Sequence, residues 1–229
     1  MKDNKLEKSV MASIDQALGQ NLVKEAYVAV PKKFNLKTEK LSEKVKKVRV
    51  EQFEKVVDTL NRISAQLDGA DLLAADNTIS SNFRNLKMAE SYAINDTFLQ
   101  AQFLENIDDV NSSISMDNLC YLRLARDFGD FDTWQKNFLA CAKSSRGGYV
   151  VTAYSIYLKR YNNFIVDNAE AGIPFSAIPV IVLDVNKGIY FKDYLNDIES
   201  YAKNMMREFN WDIIEERVKK CEKISKVFG

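Results

Sequence analysis

Past its middle, the sequence changes from helical spacing to three short runs of apolar residues. These runs lie at 149–158, 163–166 and 180–185 and are rich in Val, Ile and Tyr. Runs of this length and content are typical of β-strands, and Gly147 with Gly148 ends the helical pattern that precedes them. Helical patterns flank the runs on both sides. The sequence therefore predicts an α+β module in which three strands pack against helices.

The first half of the chain has the spacing of amphipathic helices. Apolar residues recur at every fourth position over 6–22, which predicts an N-terminal helix of about twenty residues. Similar spacing predicts a second helix over 41–60, with Leu41, Val45 and Val48 on its apolar face, and a third helix over 88–105. The segment 68–82 between them is rich in Asp, Gly, Asn and Ser and is predicted to be a loop.

Four more helices are predicted in the second half of the chain, at 117–127, 132–143, 189–208 and 212–227. We therefore expect three regions along the chain. They are an N-terminal helical extension over 1–30, a helical hairpin domain over 31–110 and an α/β C-terminal domain over 111–229.

The chain of 229 residues contains no histidine. Imidazole is the usual partner of a carboxylate in protein sites for redox-active iron or manganese, and it is also the commonest general base. Histidine chemistry is therefore excluded. Cys120, Cys141 and Cys221 are widely spaced and odd in number, which matches neither a disulfide framework nor a zinc site and favours a reducing compartment.

The charges balance overall, with 32 basic and 32 acidic side chains, so no global field favours nucleic acid. A local excess of positive charge does occur between positions 32 and 49. This basic run could follow a phosphate backbone, or it could be a solvated helix face. Its candidate interaction residues are Lys32, Lys33, Lys37, Lys40, Lys44 and Lys47.

Targeting signals are not evident in the sequence. The first twenty-five residues include four acidic side chains and do not have the composition of a transit peptide or a secretory signal. Apolar runs of the roughly eighteen residues needed to span a bilayer are absent from the sequence, so we expect no membrane contact.

Three motifs in the second half resemble those of a known family. Residues 183–194 read Leu-Asp-Val-Asn-Lys-Gly-Ile-Tyr-Phe-Lys-Asp-Tyr, residues 210–211 read Asn-Trp, and residues 128–131 read Phe-Gly-Asp-Phe. They resemble the Asp-Val-Trp-Glu-His-Ala-Tyr-Tyr-Leu-Asp-Tyr, Asn-Trp and Phe-Gly-Ser-Phe sequences of iron/manganese superoxide dismutases. The resemblance covers roughly residues 34–227 and is strongest after Phe128. It implies a helical hairpin followed by a three-stranded antiparallel sheet with flanking helices.

The family holds its metal with three histidines and an aspartate, and the resemblance implies where those positions fall in this chain. They correspond to Val48, Asp96, Asp184 and Gly188, so two carboxylates remain. We expect Val48 to fill the core, and the two aspartates to bond backbone amides or a basic side chain, or to hold Mg²⁺ or Ca²⁺ weakly. We therefore expect no metal, no cofactor and no enzymatic activity.

Other functional positions of the family are altered as well. The family's gateway histidine and tyrosine fall at Gln52 and Val56, and the glutamate that reaches across its dimer interface falls at Lys187. A self-pair would bring two Lys187 side chains together, so we expect a related dismutase-like chain as the partner in a heterodimer.

Members of this family that have lost catalysis are constituents of the small subunit of the mitochondrial ribosome. The resemblance implies a non-catalytic structural role of that kind, in the mitochondrial matrix, with contacts to other ribosomal proteins, and it leaves direct contact with ribosomal RNA open. Two alternatives stay open. One is a metal-dependent enzyme or sensor with a rebuilt carboxylate site, and the other is a regulatory partner of an active dismutase.

Overall fold

The structure is a computed structural model that describes residues 28–76, 79, 81–109, 112–169 and 172–228. The predicted N-terminal helix over 6–22 lies outside these residues, as does most of the predicted extension over 1–30.

Two long helices form the hairpin that the sequence predicts. Helix α1 spans Glu43–Asp68 and helix α2 spans Asn82–Asn106, and a short 3₁₀ helix, Leu72–Asp76, lies between them. The hydroxyl of Ser81 begins α2 by accepting a hydrogen bond from the backbone N–H of Arg84 at 3.2 Å. Both helices bury one apolar face, because side chains three and four residues apart share a side of a helix.

Helices α3, Leu119–Phe128, and α4, Phe131–Ser144, precede the sheet. They are separated by Gly129, whose φ of 95° favours glycine. The Asp130 carboxylate then accepts a hydrogen bond from the backbone N–H of Thr133 at 2.6 Å, which caps the first turn of α4.

The sheet contains strands β1, Tyr149–Ser155, β2, Arg160–Val166, and β3, Ala177–Asp184. Its order is β2-β1-β3, and both neighbours run antiparallel to β1. Tyr149 at the start of β1 pairs with Val166 on one side and with Asp184 on the other. Every residue of β1 is buried, as expected for a central strand covered on both faces.

Three helices follow the sheet: α5, Lys187–Tyr194, α6, Ile198–Arg207, and α7, Trp211–Phe228. The prediction of one continuous helix over 189–208 is wrong. Leu195 has a φ of 54°, which ends α5, and Asp197 restarts the helical path by accepting a hydrogen bond from the backbone N–H of Ser200 at 2.9 Å. Across the described residues, the helices are all too short or too polar to cross a membrane.

The core joins the hairpin to the sheet and to the last helices. The side-chain amide of Asn106, at the end of α2, donates to the backbone carbonyl of Val182 in β3 at 2.8 Å. On the other side of the fold, the indole N–H of Trp134 donates to the hydroxyl of Thr152 at 3.0 Å. The observed architecture is the predicted α+β fold, a helical hairpin followed by a three-stranded antiparallel sheet with flanking helices.

Candidate functional site

Helix α1 presents a different set of residues to the core than the sequence predicts. Val48 was expected in the core, yet its side chain is 50% exposed, whereas Arg49 is only 6% exposed. The buried face runs through Val45, Arg49 and Phe53, which are spaced by four residues. The core position in this turn is thus occupied by Arg49, and the prediction that Val48 fills the core is wrong.

The two predicted gateway positions also lie outside the core. Gln52 is exposed and Val56 is only partly buried, while their neighbours Phe53 and Val57 are buried. Apolar periodicity favoured Val48 over Arg49 as a core residue because Arg49 looks like one more member of the basic run. The signal that identifies it is its position four residues after Val45 and four before Phe53.

Asp184, the last residue of β3, is fully buried and forms an ion pair with Arg49. Its other carboxylate oxygen accepts hydrogen bonds from the backbone N–H of Asn186 at 2.8 Å and from the Asn186 side-chain amide at 3.0 Å. Arg49 also donates to the side-chain oxygen of Gln52 at 2.8 Å. A buried charge needs such partners because, without them, no interaction offsets the free energy that desolvation costs.

Asp96 of α2 lies beside this pair and has its own partners. One carboxylate oxygen accepts a hydrogen bond from the Tyr149 hydroxyl at 2.7 Å, and the other accepts one from the Gln100 side-chain amide at 2.9 Å. Burial raises the pKa of Tyr149 well above its usual range, and the nearby charge of Asp96 raises it further. Tyr149 therefore stays protonated and donates to Asp96.

Two neighbouring segments fix the start of α1 against α5. The backbone N–H of Ser42 donates to the Asp193 carboxylate at 2.7 Å, and the Tyr194 hydroxyl donates to the backbone carbonyl of Lys40 at 2.8 Å. Tyr201 of α6 also donates to the backbone carbonyl of Asp184 at 2.7 Å. These contacts position Arg49 opposite Asp184.

We call the resulting group the Arg49 cluster; it consists of Arg49, Gln52, Asp96, Tyr149 and Asp184. Two of the four predicted ligand positions, Asp96 and Asp184, contribute side chains to it. Gly188 contributes none: it is exposed in the first turn of α5, and a methyl group added there would meet nothing within 4 Å. The cluster holds one permanent positive charge and two carboxylates.

The Arg49 cluster does not fit a redox-active metal ion. A guanidinium has only hydrogen-bond donors and stays protonated, so it cannot be a ligand. Iron and manganese sites of this class use imidazole beside carboxylate, and the chain has no histidine. Within the described residues, His, Cys, Asp and Glu side chains nowhere gather in a group of three or more suited to a metal ion.

The basic run is less uniformly exposed than the sequence indicates. Lys46 is buried, donates to the backbone carbonyl of Thr38 at 3.0 Å and pairs with Glu43, and Arg49 also turns inward. Some exposed members are paired with carboxylates, namely Lys32 with Glu105 at 3.0 Å, Lys37 with Asp109 at 3.7 Å and Lys47 with Glu51 at 4.0 Å.

The remaining candidate lysines, Lys33, Lys44 and Lys187, are exposed, and Lys40 is partly buried. The net positive surface is therefore smaller than the count from the sequence.

A second cationic surface lies at a cavity beside α4 and α6. An open cavity of about 650 Å³ is bordered by α4, α6 and the start of α7. Lys136, Lys203 and Arg207 line it together with a single acidic residue, Asp132. The sequence gives no sign of this cavity. Its lining residues lie on separate helices, and the cavity forms only where α4 packs against α6.

Comparison with known proteins relates the second half of this fold to one family. Residues 119–217 match the family described as "Iron/manganese superoxide dismutases, C-terminal domain". The chain is similar to superoxide dismutase [Mn] 1 of Halobacterium salinarum, with 32% identity over 42% of this chain and 47% of the relative. It is also similar to superoxide dismutase [Mn/Fe] of Aeropyrum pernix, with 29% identity over 43% and 46%.

A third relative, superoxide dismutase [Mn] of Haloarcula hispanica, is 28% identical over 56% of this chain and 90% of the relative. The chain spans about half the length of several relatives that it matches. It is thus related to the iron/manganese superoxide dismutases through their C-terminal domain.

The prediction that the chain is not an enzyme is wrong by this comparison. The relatives carry the names of superoxide dismutases, so the relationship that the match supports is to a family of enzymes.

Proposed function

We propose that the chain is a structural component of the small subunit of the mitochondrial ribosome, in which a dismutase-like fold supplies contact surfaces for other molecules. One observation carries this proposal: Asp184, one of the positions that resemble the family's metal ligands, is held in a buried ion pair with Arg49, while the surrounding fold is retained. A protein that acts by contacting other molecules requires this fold to form its surfaces but does not require a metal centre. Such a role also implies a location in the mitochondrial matrix.

The surfaces available for contacts support the proposal. Lys33, Lys44 and Lys187 are exposed, and Lys136 and Arg207 line the cavity beside α4. Positive side chains of this kind bind phosphate groups of RNA, and the affinity falls as the salt concentration rises. We propose that ribosomal RNA or an acidic neighbouring protein occupies at least one of these two surfaces.

We also propose that the partner across the family's dimer face is a related but different chain. Lys187 is exposed at the start of α5, and a two-fold axis there would place two lysines face to face. An acidic residue on a different chain would pair with Lys187 instead.

Sedimentation of native mitochondrial extract tests the proposal. The chain is expected to travel with the small ribosomal subunit at low salt, together with a dismutase-like partner identified by mass spectrometry. Its presence only in the light fractions, free of ribosomal proteins, would refute the ribosomal role. Recovery as a homodimer would refute the heterodimer separately.

The names of the relatives favour a second candidate, superoxide dismutation. It requires a metal that the Arg49 cluster does not fit, so the decisive measurement is superoxide consumption by the purified chain after loading with iron or manganese. Consumption above that of the free metal, abolished by Asp184→Ala, would support this candidate over the first.

A further inference from the structure

The charge balance of the Arg49 cluster depends on one side chain. Asp184 is 0% exposed, and Arg49 is the cation paired with its carboxylate. Asp96 is occupied by Tyr149 and Gln100, neither of which carries a positive charge. Without Arg49, a buried carboxylate would lose its compensating charge, which is one of the most destabilising changes a protein interior can undergo.

The pair also connects separate elements of the fold. Arg49 belongs to α1, Asp184 ends β3, and Asp96 and Tyr149 bring α2 and β1 to the same place. A bound metal ion joins elements in this way by drawing ligands from each of them. In this chain the covalently attached guanidinium is the cation at that meeting point.

We propose that the guanidinium of Arg49 takes the place of a metal ion: it neutralises Asp184, holds α1 against the sheet and makes the folded state independent of divalent cations. Because an arginine does not lose its proton, the cluster stays closed to cations while Arg49 is present. The inference concerns the purified chain and does not depend on a ribosomal role.

A consequence follows for variants that lack the guanidinium. Removing it leaves oxygen atoms of Gln52, Tyr149 and Asp184 around the vacated space, with the Asp96 carboxylate hydrogen-bonded to Tyr149. Oxygen donors with two carboxylates suit hard cations such as Mg²⁺, Ca²⁺ or Mn²⁺. We therefore expect Arg49→Ala to acquire a cation site that the wild-type chain does not have.

The experiment compares thermal unfolding of purified variants in EDTA and in Mn²⁺, with direct Mn²⁺ titration by calorimetry. Wild type is expected to unfold at the same midpoint in both solutions. Arg49→Ala should lose roughly 10 °C in EDTA and recover part of that loss in Mn²⁺. Lys47→Ala, an exposed neighbour on the same helix, is the matched control and should change neither value.

A double variant separates loss of the charge pair from loss of folding. Arg49→Met with Asp184→Asn removes both charges, so it should regain most of the lost midpoint and show no response to Mn²⁺. The proposal fails if Arg49→Ala is as stable as wild type, if it does not respond to Mn²⁺, or if wild type itself binds the ion. It also fails if the double variant does not fold, because the unpaired carboxylate would then not explain the loss.

Discussion

Two buried arginines organise this molecule at the scale of single residues. Arg49 pairs with Asp184 at the end of β3, and Arg217 of α7 binds Glu105 and the side chain of Asn106 at the end of α2. Arg217 also donates to the backbone carbonyl of Val180 at 3.1 Å. Arginine serves both positions because its five donors satisfy several acceptors at once.

The Glu105 carboxylate gives a testable dependence of stability on pH. Burial raises its pKa, but hydrogen bonds from Arg217 and Lys32 outweigh burial and hold the pKa below its ordinary value of 4.5. A lowered folded-state pKa stabilises the protein above pH 4.5, and this contribution is lost as the pH falls below that value. Glu105→Gln should therefore flatten the acid-side fall in unfolding free energy.

Urea unfolding at a series of pH values from 6 down to 3 measures this effect. Glu54→Gln, which removes an exposed carboxylate of α1, is the control and should keep the wild-type slope. If the unfolding free energy falls with pH equally for wild type and Glu105→Gln, the lowered pKa of Glu105 would be contradicted.

At this scale, the prediction that Asp184 bonds a backbone amide or a basic side chain is confirmed, and the prediction that Val48 fills the core is wrong. The aspartate lies in a motif with several specific neighbours, so its position in the chain could be identified. The expectation that Val48 fills the core rested on apolar periodicity, which treats arginine as a surface residue. Burial of Arg49 depends on Asp184, which is 135 positions away, and nothing local in α1 reveals that partner.

At the scale of elements, the sequence predicts strands and long helices better than the breaks between them. The three strands and the helices α1 to α4 overlap the segments that patterns of apolar residues predict, although α1 ends later and α2 begins earlier than predicted. The break between α5 and α6 was missed because it rests on Leu195, a residue type that rarely adopts a positive φ. Tertiary contacts, such as the bond from Tyr194 to the Lys40 carbonyl, fix α5 separately from α6.

Two glycines at the ends of elements should respond in opposite ways to alanine. Gly148 enters β1 with a φ of 72°, and an added methyl carbon would lie 2.1 Å from the Val166 carbonyl oxygen. Gly148→Ala should therefore cost more than about 2 kcal/mol of unfolding free energy. Gly188→Ala lies in open space within a helix and should be neutral or stabilising by up to about 1 kcal/mol.

Chemical denaturation of the two variants beside wild type measures both values. A similar loss in both would mean that general sensitivity to substitution, and not local geometry, determines the result.

At the scale of the whole molecule, balanced total charge hides two separate cationic surfaces. The exposed lysines before and within the first turns of α1 form one, and the cavity lined by Lys136, Lys203 and Arg207 forms the other. Neither surface requires a strongly basic chain. The total charge of the chain is therefore a poor guide to its partners. Within α1, Lys44 and Lys47 are exposed as helix periodicity predicts, whereas Lys46 and Arg49 are buried.

Reversing three charges of the basic run tests whether it contacts the proposed assembly. Lys40→Glu, Lys44→Glu and Lys47→Glu together should weaken sedimentation with the ribosomal small subunit, most clearly at raised salt. Unfolding free energy should change by no more than about 0.5 kcal/mol for each substitution.

The matched control reverses three exposed lysines elsewhere, Lys55, Lys223 and Lys226, so that the total charge changes equally. Identical sedimentation of the two triple variants would show that net charge alone, or neither surface, determines binding. Unfolding of the first triple variant would contradict the observed faces of α1.

The aromatic packing around Trp134 has a spectroscopic consequence. The chain has two tryptophans, and their rings lie 6.0 Å apart in one buried group that α4 and α7 share. Intrinsic fluorescence therefore monitors the sheet and the helices around it, and it does not observe the hairpin of α1 and α2 directly.

Far-ultraviolet circular dichroism, which weights long helices, monitors the hairpin strongly. A difference between the two unfolding curves would identify the hairpin as an independently melting unit, and coincident curves would show that the Arg49–Asp184 pair and its neighbours couple both halves into a single transition.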